Sequence, residues 1–109
     1  MVRDKVMTYL GFAAKSRNLV AGSNTCQMMM EKGKIQLLIV TDDIAENTMK
    51  KMLQCCNRNN IEYRVFGNSD ELSRITGKSG KGIFGITDKH FAEIIVKEID
   101  QIQSEREVF

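Results

Sequence analysis

Leu37-Leu38-Ile39-Val40 is a short, continuous apolar run that opens into Thr41-Asp42-Asp43. Such a run is the pattern of a strand buried on both of its faces. Helical spacing stands on either side of it. Upstream, Val6, Leu10, Ala13 and Ala14 share one face of a helix predicted over 3–17, and a second helix fits 23–32, with Cys26, Met29 and Met30 inward and Gly33 as its stop. Downstream, Asp42 or Asp43 is expected to cap a helix in which Ala45, Met49, Met52, Leu53 and Cys56 recur at helical intervals, closed by Asn57 to Asn60.

The unit then recurs. Ile61 to Phe66 reads as a second strand, and Gly67-Asn68-Ser69 leads into a short helix begun by Ser69 and Asp70 and ended by Gly77. Leu72 and Ile75 are its expected inward residues. Gly82-Ile83-Phe84-Gly85-Ile86 reads as a third strand, and Asp88 begins a last helix with Phe91, Ile94, Ile95, Ile99 and Ile102 on its apolar face. This alternation argues for an α/β fold, a three-layer α/β/α sandwich. A chain of 109 residues fits one domain over 1–109 around a single core, with fraying expected after about residue 103.

Composition narrows the function less than the fold. The formal charge is only +2, but it is uneven. From Glu93 onward five acids (Glu93, Glu98, Asp100, Glu105, Glu107) face only Lys97 and Arg106, so the basic excess lies in residues 1–92. A basic body with an acidic tail is compatible with RNA without making an electrostatic case alone. No apolar run approaches the roughly 18 residues of a membrane span, and Met-Val-Arg-Asp-Lys at the start lacks a secretory signal. The expectation is a cytoplasmic protein.

No catalytic constellation emerges. Gly77-Lys78-Ser79-Gly80-Lys81-Gly82 has glycines and lysines but not the P-loop order, since the required first glycine is Leu72 and a helix precedes while a strand follows. The acidic pair Asp42-Asp43 lacks the further oxygen ligands of a magnesium site. His90, the sole histidine, has no nucleophile partner. Cys26, Cys55 and Cys56 lack zinc-site spacing; Cys26 and one of the adjacent pair are expected in the core. Of Met28, Met29 and Met30, two are expected inside and one toward a partner. No metal, cofactor or small-molecule substrate is called for.

The stretch from Lys15 to Gly33 points elsewhere. A connector carrying Lys15 and Arg17 ends in Gly22, and Ser23, Asn24 and Thr25 stand where the second helix begins. The first amides of a helix have no partner within it, and the aligned peptide dipoles make that end attractive to phosphate. Lys78 and Lys81 form a second basic loop suited to a phosphate backbone.

Gly22-Ser23-Asn24-Thr25-Cys26-Gln27-Met28 lies where the ribosomal protein L7Ae/L30e/S12e/Gadd45 family carries Gly-x-Asn-Glu-x-Thr-Lys. Leu10-Gly11-Phe12-Ala13-Ala14-Lys15 before it, and Gly33-Lys34, Leu37 to Asp43, Ala45 to Lys51, Leu72 with Gly77, Ile86 to Lys89 and Phe91-Ala92 after it, extend the match along nearly the whole chain. The chain resembles that family, and within it the small bacterial YlxQ-like branch of ribosomal proteins. The resemblance implies an L30e-like sandwich with a sheet of about four strands. It also implies a non-catalytic protein that binds structured, kink-turn-like or ribosomal RNA. In that family the start of the second helix meets tandem sheared G·A pairs, and the loop before the last strand covers an extruded nucleotide. By resemblance Asn24 would contact a guanine edge, Ser23 and Thr25 would approach bases or backbone beside Gly22, and Lys34, Lys15 and Arg17 would hold phosphates. Lys78, Ser79, Gly80 and Lys81 form the loop.

This sequence departs from the pattern at three positions: Thr25 replaces the family's Glu, Gln27 its Thr and Met28 its Lys. A charge-assisted bond and an ion pair with phosphate are each worth roughly 1–3 kcal/mol. Without them, high-affinity kink-turn recognition is not expected. The alternative expectation is a module that contacts ribosomal or transcription proteins through the Met-rich helix or the acidic tail.

Overall fold

Leu37–Val40 forms a strand whose four residues are all buried, and its neighbours supply the two layers that bury it. The computed structural model describes residues 2–107. Along the chain run α1 (Val2–Lys15), β1 (Leu19–Ala21), α2 (Ser23–Glu31), β2 (Leu37–Val40), α3 (Glu46–Arg58), β3 (Glu62–Val65), α4 (Ser69–Thr76), β4 (Ile83–Ile86) and α5 (Lys89–Glu107). The strands form one sheet in the order β1-β4-β2-β3, antiparallel at β1/β4 and β4/β2 and parallel at β2/β3.

Alternation along β2 divides the core in two. Leu37 and Ile39 join Phe84 and Ile86 of β4 under Val6, Leu10 and Ala13 of α1, Leu72 of α4, and Ala92, Ile95 and Ile99 of α5. Leu38 and Val40 face the other way, with Ile83, onto Cys26 and Met30 of α2 and Met52, Cys55 and Cys56 of α3. The result is the expected α/β/α sandwich. Gly85 makes the second interface close: a Cβ there would come within 2.6 Å of Ile35 and 3.4 Å of the Cys26 sulfur. The two adjacent cysteines are both core residues, where one was expected. Neighbours on a helix are about 100° apart, and α3 lies between the sheet and α2, in a cluster that buries both.

Three other expectations change. Leu19-Val20-Ala21, inside the stretch read as a connector, is a strand pairing with β4. Ile75 is 42% exposed rather than inward. It lies over Gly11, where a Cβ would stand 3.5 Å from its Cγ1, because α4 packs chiefly on α1 and Leu72 alone reaches the core. Asp43 caps, but not the helix that follows it. Ala45 is the N-cap of α3 without a side-chain bond, whereas Asp43 accepts from the Ser69 amide (3.0 Å) and hydroxyl (2.7 Å) at the start of α4.

Pairing gives the sheet two distinct ends. Ala21 opposes Phe84 and Ile83 opposes Val40, so the segments leaving β1, β2 and β3 and the segment entering β4 gather at one end, here termed upper. Leu19, Ile86, Leu37 and Glu62 mark the lower end. There α1, α2 and α3 finish in the same paired-bond turn. Asn18 donates to the Ala13 carbonyl, Lys34 to Met29 and Ile61 to Cys56. The left-handed position of each turn is Arg17 (φ 63°), Gly33 (φ 71°) and Asn60 (φ 54°) respectively.

Candidate nucleic-acid interface

At the upper end, β1 runs directly into α2 through Gly22. Its amide donates to the Ile83 carbonyl (2.9 Å) and its own carbonyl accepts from the Cys26 amide (3.0 Å). The turn requires φ 101°, which a residue with a Cβ adopts only under strain. The helix that starts here has no side-chain cap and no acid in its first turn. Asn24 and Thr25 are exposed and Ser23 is half-buried. Two more helices start at the same end and both are already neutralised: α3 by Glu46, and α4 by Asp70 and Glu71. Asn68 also accepts from the Glu71 amide (2.9 Å), and Asp43 covers Ser69. The Ser69 hydroxyl, followed by that of Thr41, holds the Asp43 carboxyl below the usual carboxylate range, so at neutral pH it stays ionised on α4. Among the described residues, α2 is the bare anion-accepting helix start of this end.

The loop before β4 is drawn to the same place. Ser73 on α4 grips Lys81 twice, donating from its hydroxyl to the Lys81 carbonyl (2.9 Å) and accepting from the Lys81 amide (3.2 Å). The Thr76 hydroxyl accepts from the Lys78 amide (3.3 Å). Gly82 lies against Thr41 and Ile44, where a Cβ would come within 2.7 Å of the Thr41 hydroxyl and 2.5 Å of Ile44. The clamp sets the Lys81 backbone beside the start of α2, and the Lys81 Nζ lies 3.7 Å from where a Cβ on Gly22 would be. An ammonium group thus stands over Gly22, the residue from which α2 starts. Lys78, Ser79 and Gly80 are exposed along the rest of the loop, while Arg74 is engaged by Asp70.

From this point a shallow groove follows α2, lined by Asn24, Gln27, Met28, Glu31 and Lys32. Met28 is half exposed, whereas Met29 is half-buried and Met30 buried, the expected division. Met28 and Thr25 thus present an apolar and a neutral polar contact where the family pattern has ions.

The residues singled out in the sequence fall into two groups. Gly22, Ser23, Asn24, Thr25, Lys78, Ser79, Gly80 and Lys81 gather at the upper end. Lys15, Arg17 and Lys34 are exposed at the lower end, beyond β1 and the far terminus of α2. Ser73, the clamp on Lys81, carried no sequence signal: a serine in a short helix is ordinary. The cysteines are free and buried, and burial pushes the Cys26 thiol up to about 12 and that of Cys56 to about 11. Both stay protonated and serve packing. His90 is exposed in the first turn of α5. No group of three metal-ligating side chains forms among the described residues, and no described helix is long and apolar enough to cross a membrane.

Comparison with known proteins identifies the family of the chain. The chain is 28% identical over 91 residues to the RNA-binding protein YlxQ of Bacillus subtilis (strain 168), covering 84% of this chain and 91% of the relative. YlxQ of Enterococcus faecium, also named an RNA-binding protein, matches at 28% over 91 residues, 84% of this chain and 87% of the relative. A solved structure of a Bacillus halodurans protein of unknown function superposes with TM-score 0.85 at 31% identity, covering 88% of this chain and 97% of that one. The 15.5kD RNA binding protein of Giardia lamblia shares the fold at TM-score 0.75 and 15% identity, over 94% and 88%. The model of one family matches residues 4–96, spanning every element from α1 into α5. The chain belongs to the ribosomal protein L7Ae/L30e/S12e/Gadd45 family.

Proposed function

We propose that this protein binds structured RNA, without catalysis, through the upper end of its sheet. One observation carries the proposal: α2 begins with unmatched amides, no cap and no acid, and the Lys81 ammonium stands over Gly22, the residue from which the helix starts. That is a site for a phosphate with a base reader next to it. The exposed Asn24 amide offers both a donor and an acceptor to a base edge, Ser23 and Thr25 offer hydroxyls, and the amides of α2 with Lys81 hold the adjoining phosphate. RNA exposes readable edges where a helix is distorted, so the target is a kinked or bulged stem of kink-turn type, ribosomal RNA included. The names of the bacterial relatives support RNA as the ligand. With Thr25 and Met28 in place of an acid and a lysine, binding is weaker than an intact family motif would give.

The test is calorimetric or filter binding at low salt, comparing a kink-turn RNA with a straight duplex. Asn24→Ala is expected to shrink the ratio of the two affinities by roughly 10–100-fold, the worth of one good base contact. Lys81→Ala is expected to weaken both RNAs alike and to lower the slope of log affinity against log salt by about 0.7–0.9. Absence of low-salt affinity for kink-turn and ribosomal RNA would refute the proposal. The alternative, a protein-contact module using the exposed Met28, predicts binding to a protein partner that is nearly insensitive to salt.

A further inference from the structure

The lower end of the sheet carries a second cationic surface, built from four consecutive loop ends. Lys15 and Arg17 enter β1, Lys89 follows β4, Lys32 and Lys34 enter β2, and Arg58 precedes β3. The backbone joins these loops edge to edge: the Thr87 amide donates to the Asn18 carbonyl (2.9 Å) and the Gln36 amide to the Ile86 carbonyl (2.7 Å). All six cations are exposed, and none forms an ion pair with a described residue. The acids of this end are fewer and partly engaged. Asp88 accepts from the Phe91 amide (2.8 Å) and Glu62 pairs with Arg64 (3.0 Å), leaving Glu31 and Glu93.

Helix electrostatics explain part of this surface. Lys15, Lys32, Lys34 and Arg58 lie at the ends of α1, α2 and α3, where the dipole favours cations. Two features do not fit that account. Lys89 opens α5, the end at which a cation is disfavoured, and the Asp88 carboxylate that caps this end is already engaged with the Phe91 amide (2.8 Å). Arg17 occupies the left-handed position of the α1 turn (φ 63°), where α2 uses glycine and α3 asparagine. An arginine is held there against its backbone preference. Lys89 has its charge, and Arg17 its backbone, where folding alone would not put it, and both are exposed at the same end of the sheet.

The α2 groove connects this surface to the upper end. Asn24 and Lys32 stand at its two extremities, eight residues or about 12 Å apart along the helix, the length of a few base pairs of an A-form stem. We propose that the lower end is a second, sequence-independent contact for the RNA phosphate backbone, so that a stem read at Asn24 runs along α2 and is held at Lys32, Lys34, Lys15, Arg17 and Lys89. The inference rests on RNA being the ligand but not on what Asn24 reads.

The experiment uses two RNAs, a short kinked stem and the same RNA with one arm extended by about one helical turn, each titrated over a range of salt. The full-length variant Lys15→Gln/Lys34→Gln/Lys89→Gln is expected to lower the salt slope for the long RNA by about 2–3, at roughly 0.7–0.9 for each phosphate no longer neutralised, and to leave the short RNA unchanged. Lys89→Gln alone removes a cation from a helix start, where the dipole disfavours it, and a fall of about 0.7–0.9 in the long-RNA slope with unchanged thermal unfolding supports the proposal free of any folding defect. An unchanged slope for the long RNA overturns it, as does an equal loss for both RNAs. Asn24→Ala run in parallel reports on the upper end separately: discrimination lost there with the triple variant silent means that only the lower contact has failed, and the reverse means that only the proposed reader has.

Discussion

The two ends of the sheet carry comparable charge chemistry in different structural states. At the upper end almost every group is committed. Asp43 and Asn68 are spent on α4, Arg74 on Asp70 and Ser73 on Lys81, while Gly22 is set by its φ of 101° and Gly82 by the Thr41 and Ile44 side chains that stand where a Cβ would go. What remains open is small: the α2 amides, Asn24 and the ammonium groups of Lys78 and Lys81. At the lower end six cations are exposed and uncommitted over a broad surface. Reading a base needs groups held in place before the ligand arrives, whereas holding a backbone needs only charge within reach. The difference between the ends is therefore a difference between specificity and retention.

The strongest way to break this contrast is to loosen the upper end. Gly82→Ala introduces a Cβ within 2.7 Å of the Thr41 hydroxyl and 2.5 Å of Ile44. The contacts come from two residues of one segment and cannot both yield without moving the β2–α3 connection. Thermal or denaturant unfolding is expected to show a loss of about 1–3 kcal/mol, the usual cost of overpacking. In the folded fraction, discrimination for a kinked RNA should fall while the salt slope for long RNA survives. A variant as stable and as selective as the parent would mean that the upper end is no more rigid than the lower.

How much of this was legible follows from the same division. Leu37 to Val40 announced a strand with two covered faces because four successive apolar residues have no other economical burial, and all four are buried. Asp88 was readable as a cap because its partner, the Phe91 amide, is three residues away. Gly22 and Asn24 were readable because a helix start leaves a local signature. What failed to show was whatever depends on strands meeting. β1 has three residues, too few for a period, so the stretch read as one basic approach to α2 actually crosses the sheet. Lys15 and Arg17 are left at the end opposite to Asn24. Asp43 reaches α4 rather than α3 because β2 and β3 run parallel and end side by side. Lys89 and Arg58 joined the lower surface by the same route, with no sequence proximity to mark them.

A milder change sharpens the comparison by moving one end toward the other. Met28→Lys adds an ammonium to the middle of the α2 groove, at a position already half exposed. It is expected to raise affinity for short and long RNA alike by about 1 kcal/mol, roughly fivefold, and to steepen both salt slopes by about 0.7–0.9. The ratio between kinked and straight RNA should hardly change, since a point charge on a phosphate carries no sequence information. A gain confined to the kinked RNA would instead assign position 28 to the reader, and the lower end would be left as the sole nonspecific contact.

The smallest effect tests the lower end at its least comfortable residue. Arg17→Ala and Arg17→Gly remove the same charge from the same exposed turn, so they should weaken long-RNA binding equally and lower its salt slope by about 0.7–0.9. Their stabilities should differ. With φ at 63°, alanine keeps the left-handed strain of an L-residue and glycine removes it, so Arg17→Gly is expected to be more stable than Arg17→Ala by about 0.5–1 kcal/mol in denaturant unfolding. Two variants equal in RNA binding but unequal in stability would show that the arginine side chain serves the ligand and that its backbone bears the cost. If instead both bind long RNA as well as the parent does, the strained turn has no ligand to account for it, and the lower end reduces to helix termini decorated by cations that their own dipoles favour.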